Sequence, residues 1–419
     1  MASLRRPLEI EDDMAQRPPK KARASAAPAS ASSWADLPLD IAGDVLRLLP
    51  CYADRICFGA ACRSWRSSAR QHRAAPRLPC LAFTDGAFRG FPADARPFRL
   101  PAAAGHHSSC GEWLVFECHD GAYALADPFS HAAMPRLPRL PRVHVRADPV
   151  VAAAERALPD CRHPWREQER EPEPEAAAPL SLLKLVVCST RLVAAVVGQG
   201  RHGKLALCRP GAPSWSMSGD DDQWRRLKDM AFYQGKLYVV DHNEDLFAVT
   251  VKDEGEPPAL SRLDRVVKGR PTLADTLRRV TLLYLAESGG ALLMVGREIF
   301  RARMRPGRLA RTAPIDEHFT VFRAGFRSSR WKKVRTIGDD RALFLGRWCS
   351  RAVLLPEEHR PEWGDRIFFL QDGTGNEWPH KSLSYSLSVY HMQPPGFDQY
   401  DWPATWLFPR QGKLLAPPF

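Results

Sequence analysis

Met230-Ala-Phe-Tyr-Gln-Gly-Lys-Leu-Tyr-Val-Val-Asp241, followed closely by Asp245-Leu-Phe-Ala-Val-Thr-Val251, is the clearest β signal in the chain. Two short apolar runs meet at Gln234-Gly235 and a third follows a polar turn. With Trp224-Arg-Arg-Leu227 leading in, the stretch predicts strand, hairpin, turn, strand. The same texture recurs from about Leu78 onward. It is seen in Trp113-Leu-Val-Phe116 with Ala122-Tyr-Ala-Leu125, in Leu185-Val-Val187 with Leu192 to Val197 and Lys204-Leu-Ala-Leu207, and in Leu282-Leu-Tyr-Leu285 with Ala291 to Val295. Arg341-Ala-Leu-Phe-Leu345 and Arg366-Ile-Phe-Phe-Leu370 continue it. The units recur at roughly 40 to 55 residues, the range of a four-stranded propeller blade. One such sheet cannot bury both faces alone, and blades repeated around an axis solve that problem. The reading is therefore mostly β, a β-propeller over 76–419, against the competing arrangement of an irregular sandwich or two β-domains.

Upstream the pattern is helical. Ile41, Val45, Leu48 and Leu49 form an apolar stripe at helical period. Pro38 suits the first helical position, Asp36 and Asp40 suit the positive end of the dipole, and Pro50 stops the run. A second helix is expected over Ala53 to Ala60, with Ile56 and Phe58 as its large apolar residues. A third runs from about Ala61 to Arg70, with Cys62, Trp65 and Ala69 on one side. So small a unit, 34–75, has more apolar surface than it buries within itself. Either it is a helical hairpin of one large core, or its amphipathic face meets a groove on another protein.

The 419 residues exceed one average domain. Ten scattered cysteines without a C-x-x-C pair argue against structural zinc and a disulfide framework, and for a reducing nuclear or cytoplasmic setting. No signal peptide or bilayer-spanning run is expected, so no membrane partner is assigned. The net charge of +12 is mostly arginine spread along the chain, without a basic stripe of interleaved aromatics, which argues against nucleic acid as the partner. Residues 1–33 are rich in Ala, Ser, Pro and charge and are expected to be a disordered tail. Within them Pro18-Pro-Lys-Lys-Ala-Arg23 reads as a solvated tail or a nuclear import signal. The Glu-Pro alternation of Arg166 to Ala178 marks a surface insert near 146–179.

Leu37-Pro38, Ile41, Val45-Leu46, Leu49-Pro50 and Cys62-Arg-Ser-Trp65 match, in order and spacing, the F-box, the module that docks on the Skp-type adaptor of a cullin ubiquitin ligase. Ala53-Asp-Arg-Ile-Cys-Phe58 is similar to the variant of plant F-box proteins. Ala61 and Cys57 depart from it, both being smaller than the usual residues. The resemblance implies an adaptor-facing set of Leu37, Pro38, Ile41, Val45, Leu46, Leu49, Pro50, Ile56 and Phe58, with Trp65 locking the third helix. Ile337-Gly-Asp-Asp-Arg-Ala-Leu-Phe-Leu-Gly346, Asp365-Arg-Ile-Phe-Phe-Leu370, Thr405-Trp-Leu-Phe-Pro409 and Asp127-Pro-Phe-Ser130 resemble the marks of a plant F-box-associated propeller of the KIB type. Together these imply a non-catalytic substrate receptor of a Skp–cullin–F-box ligase, whose propeller binds a target protein. A scaffold that engages the adaptor without degradation is the alternative.

The remaining motifs carry weaker chemistry. Gly198-Gln-Gly-Arg-His-Gly203 spells a dinucleotide loop, but Lys204-Leu-Ala-Leu207 after it reads as a strand rather than the helix such a loop requires. Asp220-Asp-Asp222 lacks the spaced ligands of a calcium loop, and His106, His107, His202 and His242 lack partners at ligand spacing. No cofactor, metal or catalytic residue is expected. Trp363 and Trp378 are the exposed-looking aromatic candidates for target binding, against the commoner packing role of a blade tryptophan.

Overall fold

The computed structural model describes residues 34–49, 52–72, 78–90, 97–143, 178–199, 202–217, 225–252, 258–270, 279–300, 316–370, 386–391, 397–401 and 405–409. The expected tail, Pro50, residues 166–177 of the expected insert, Asp220 to Asp222 and Trp378 lie outside them. Three helices, α1 (Leu39–Leu48), α2 (Tyr52–Ala61) and α3 (Arg63–Gln71), lead into the six sheets of a six-bladed β-propeller.

The decisive hairpin lies in blade 4, whose strands Leu227–Tyr233, Lys236–Asp241, Leu246–Lys252 and Ala259–Val267 pair antiparallel in sequence order. Gln234 and Gly235 both take positive φ, 46° and 75°, the two-residue turn whose twist suits a hairpin. Blade 3 holds Ser181–Ser189, Leu192–Gln199, His202–Cys208 and Ser216–Met217. Blade 5 holds Arg279–Ser288, Ala291–Phe300, Asp316–Gly325 and Arg330–Val334. Blade 2 is three-stranded: Ser108–Cys110, Trp113–Glu117 and Tyr123–Ala126. Asp127 caps the turn after it by accepting from the Phe129 and Ser130 amides and the Ser130 hydroxyl. Between blades 2 and 3, Arg142–Val143 pairs with Ala178–Pro179, a short ladder at the base of the expected insert.

Blade 6 departs from simple hairpins. Arg341–Leu345 runs parallel to Arg366–Leu370, with Arg351–Leu354 on one side and Ser386–His391 and Phe397–Asp401 on the other. A parallel pair needs a crossover, and here it passes through the short helix Arg360–Trp363. Trp363 is buried there and stacks on His359, so it packs the blade and is not an exposed loop residue.

Blade 1 explains closure. Cys80–Ala82, Ala87–Gly90 and Phe98–Arg99 are completed by Thr405–Leu407, with Cys80 opposite Leu407 and Ala82 opposite Thr405. Trp406 is fully buried, donates from Nε1 to the Leu345 carbonyl at 3.0 Å and sets its ring edge-on to Phe344. Ser109 of blade 2 donates to the Trp406 carbonyl at 2.6 Å. One strand thus ties blades 6, 1 and 2.

Each gap between neighbouring blades is filled by its own apolar cluster. In blade 4, Leu237 and Val239 face blade 3 while Tyr238 and Val240 face blade 5. This is period-two alternation with both faces buried. The gap between blades 1 and 2 also takes in Ala42, Leu46, Phe58 and Ala69 from the helices. Replacing Trp406 with alanine removes a fully buried indole at the closing strand, and the expected loss is about 3–5 kcal/mol, read as a lowered urea midpoint.

Candidate docking site

Pro38 is the residue before α1 rather than its first helical position, with φ −52° and ψ 142°. Its missing N–H is still harmless at that end. Cys62 caps α3, its Sγ accepting from the Trp65 amide. Trp65 stacks on Phe58 with ring centroids 4.6 Å apart and donates from Nε1 to the Trp34 carbonyl at 3.0 Å. It therefore ties α3 to α2 and to the turn that precedes α1. Ser68 donates to the Leu39 carbonyl, joining α3 to the start of α1. Gly43 lies against the His72 imidazole, and a Cβ there would come within 2.4 Å of the ring. The helices meet at that point only because residue 43 has no side chain.

This packing divides the expected adaptor set. Leu46 is 0% exposed and Phe58 is buried with it, both in the cluster shared with blades 1 and 2. The structure therefore takes these two off the exposed face, because α1 has a second apolar side, Ala42, Gly43 and Leu46, that its own chain covers. Leu37 and Leu49 are half-buried against the same cluster. Pro38 is exposed, and Ile56 lies on α2 with its side chain outside the described set. Ile41 and Val45 are 45% and 37% exposed. Leu48 at 81% and Trp34 at 78% join them, and Leu39 is exposed at the start of the helix. Ile41, Val45 and Leu48 stand at i, i+4 and i+7, an apolar stripe in solvent. Leu48 belongs to the stripe that the periodicity identified but not to the set implied by resemblance. Cys57 and Ala61, the two departures from the F-box pattern, are exposed one turn apart on α2.

The most chemically loaded cluster lies at the propeller's axis, where the leading strands of successive blades pack side by side. Lys184 of blade 3 and Asp229 of blade 4 form an ion pair at 2.7 Å with side chains 8% and 3% exposed. Lys184 also donates to the Arg347 carbonyl, in the turn between two strands of blade 6, at 3.0 Å. Asp229 accepts from the Leu285 amide of blade 5 at 2.7 Å and from the Met230 amide at 2.8 Å. Burial pushes the Asp229 carboxyl above its ordinary range, and Lys184 pulls against that rise. Two charges thus bind four blades, and every acceptor they offer is engaged inside the protein. The neighbouring Cys349 and Cys110 thiols are pushed up by burial, which makes them poor nucleophiles.

Other candidates resolve plainly. Gly198 pairs with Gly203 and Gln199 with His202 across antiparallel strands, and the strand His202–Cys208, not a helix, carries Gly203. His106 is buried and donates from Nδ1 to the Ala103 carbonyl, and His107 meets Trp348 edge-on. Burial lowers the pKa of both. Among the described residues no three His, Cys, Asp or Glu gather at metal-binding distance, and no helix is long and apolar enough to cross a membrane. A cleft of about 390 Å³ opens beside Arg341, Arg351 and Phe408, and another of about 590 Å³ beside Arg191, Arg209 and Pro213.

A family model described as KIB1-4 beta-propeller matches residues 88–391. No curated protein sequence matches the chain. Among solved structures, an ulvan lyase of polysaccharide lyase family PL25 aligns over 69% of this chain and 68% of its own at 10% identity, with a TM-score of 0.31. AztD of Citrobacter koseri aligns over 78% and 96% at 9% identity and 0.29. The S. cerevisiae core factor aligns over 78% of this chain but 44% of its own, at 8% identity and 0.29.

Replacing Lys184 with methionine strands a buried carboxylate, and about 3–5 kcal/mol of stability should be lost in urea unfolding. Adding Asp229→Asn should restore part of it, since the amide oxygen still accepts from Leu285.

Proposed function

Because the chain belongs to the KIB1-4 beta-propeller family, we propose that it is the substrate-recognition subunit of a Skp–cullin–F-box ubiquitin ligase. Its helical face grips a Skp-type adaptor, and through it a cullin, while the propeller holds a target protein. The observation that carries this reading is the stripe of Ile41, Val45 and Leu48 standing in solvent on a helix whose opposite side is sealed against the propeller. Anchors at i, i+4 and i+7 are the spacing by which an amphipathic helix lies in an apolar groove. The F-box resemblance of Leu37 to Trp65 supports reading that groove as the adaptor's.

In this reading the chain performs no bond chemistry. It raises the effective concentration of target near the charged ubiquitin-conjugating enzyme, which needs two docking surfaces on a stiff body rather than a nucleophile. Closure by Thr405–Leu407 and the helical plug between blades 1 and 2 supply the stiffness. The compartment is nuclear or cytoplasmic, where free thiols such as Cys80 and Cys208 stay reduced.

Co-purification with a Skp-type adaptor tests the assignment. Ile41→Asp with Val45→Asp should weaken capture at least about tenfold, as loss of central anchors does, while leaving the thermal melt near wild type. Leu46→Ala should instead cost about 2–5 kcal/mol of stability, since that side chain is wholly inside. Undiminished adaptor capture by the double aspartate variant overturns the docking face. Ubiquitination of a co-purified protein in a reconstituted ligase then separates receptor from scaffold.

A further inference from the structure

The outer hairpin of blade 5 carries positive charge that forms no ion pair among the described residues. It consists of Asp316–Gly325, a turn at 326–329 and Arg330–Val334, the last strand of its sheet. Arg323, Arg327, Arg330, Lys332 and Lys333 are exposed on it, with Arg335 just beyond. The register sets Arg323 directly opposite Lys332, and Gly325 opposite Arg330. Like charges face to face destabilise a ladder unless an anion lies over them. Gly325 tightens the group: a Cβ there would meet the Lys332 Cε at 3.4 Å and the Arg330 carbonyl at 2.7 Å, so the lysine stem crosses the glycine beside Arg330.

The adjoining blade provides a contrast within the same molecule. On blade 4 and the loop after it, Arg262 pairs with Asp264, Arg265 with Asp245 at 3.0 Å, and Arg270 with both oxygens of Glu244. The blade 5 cations have no such carboxylate among the described residues. Glu287 and Arg323 both act on the Tyr233 hydroxyl without forming an ion pair with each other. Lys268, also exposed, forms a backbone bridge to Arg330 and adds a cation at the turn end of the hairpin.

Beyond that bridge, the outer edge of Arg330–Val334 meets no further described strand. A free edge offers alternating N–H and C=O groups, which a peptide strand satisfies and a sugar–phosphate chain does not. Arg330 and Lys332 share one face at i and i+2, about 7 Å apart in a strand. Carboxylates at alternate positions of an added strand meet them one for one.

We propose that the outer hairpin of blade 5 docks an acidic, extended segment of the target protein by strand addition, alternate carboxylates lying against Arg330 and Lys332. The proposal rests on the receptor reading above and names the chemistry of its target. The test uses the full chain and a fluorescein-labelled peptide of alternating Glu and Thr, about ten residues long, followed by fluorescence anisotropy. Binding should fall with added salt and weaken at least about tenfold in Arg323→Gln/Arg330→Gln/Lys332→Gln. A Gln–Thr peptide should bind neither form, and Arg262→Gln, from the paired set, should bind as wild type. Equal binding by the triple variant, no binding by the wild type, or tighter binding of oligothymidylate or phosphatidylserine vesicles of matched charge overturns the proposal. Adaptor capture through Ile41 and Val45 is read separately. Lost peptide binding with intact adaptor capture removes the docking strip alone, and the converse removes the ligase reading alone.

Discussion

Among the described residues, each of the six blades buries apolar side chains against both of its neighbours. Strands such as Lys236–Asp241 are apolar on both sides, Leu237 and Val239 toward one neighbour and Tyr238 and Val240 toward the other. A sheet of that kind is buried only between two others, so an open row of blades leaves two raw faces at its ends and a ring leaves none. Ring closure is therefore what the rest depends on. It is secured by a three-residue strand, Thr405–Leu407, whose tryptophan reaches into blade 6 while its backbone bonds blade 1 and blade 2. At the axis the Lys184–Asp229 pair adds direction to what apolar burial leaves non-directional, since each of its hydrogen bonds lands on a different blade.

The helices belong to the same system rather than hanging from it. Ala42, Leu46, Phe58 and Ala69 fill the seam between blades 1 and 2 alongside Phe88, Leu114 and Leu407. That anchoring fixes the orientation of α1, so the side carrying Ile41, Val45 and Leu48 has a defined relation to the propeller. A flexibly tethered docking module makes many target positions accessible at low frequency, whereas a seated one makes few accessible at high frequency.

What the sequence made legible follows from the range of the forces involved. The hairpin at Gln234-Gly235 is local, set by alternation on either side and by two residues that tolerate positive φ, and it reads directly. The helix limits read to within a residue or two, because capping and proline are local as well. Parallel pairing of Arg341–Leu345 with Arg366–Leu370 does not read, since nothing in either strand names a non-sequential partner. The inward placement of Leu46 and Phe58 does not read either. An α1 with two apolar sides states that one must be covered from outside, not which. Lys184 lies in an apolar run and Asp229 directly follows Lys228, forty-odd residues further on, and only the ring brings them together. The blade 5 cations were hidden differently: they are visible in the sequence, but the register that sets Arg323 opposite Lys332, away from any described counter-ion, is not.

The order in which the chain is made has a bearing on the seam. Leu46 and Phe58 leave the ribosome early, yet their cluster includes Leu407, which is translated after every other blade strand. During synthesis the inner side of the helical unit and the unmatched flanks of blades 1 and 6 stand uncovered together. The nascent protein thus needs shielding until its last strand arrives. A ribosome that stalls or terminates before Thr405 leaves a product with both the plug and the ring exposed, the kind of surface that quality-control chaperones recognise.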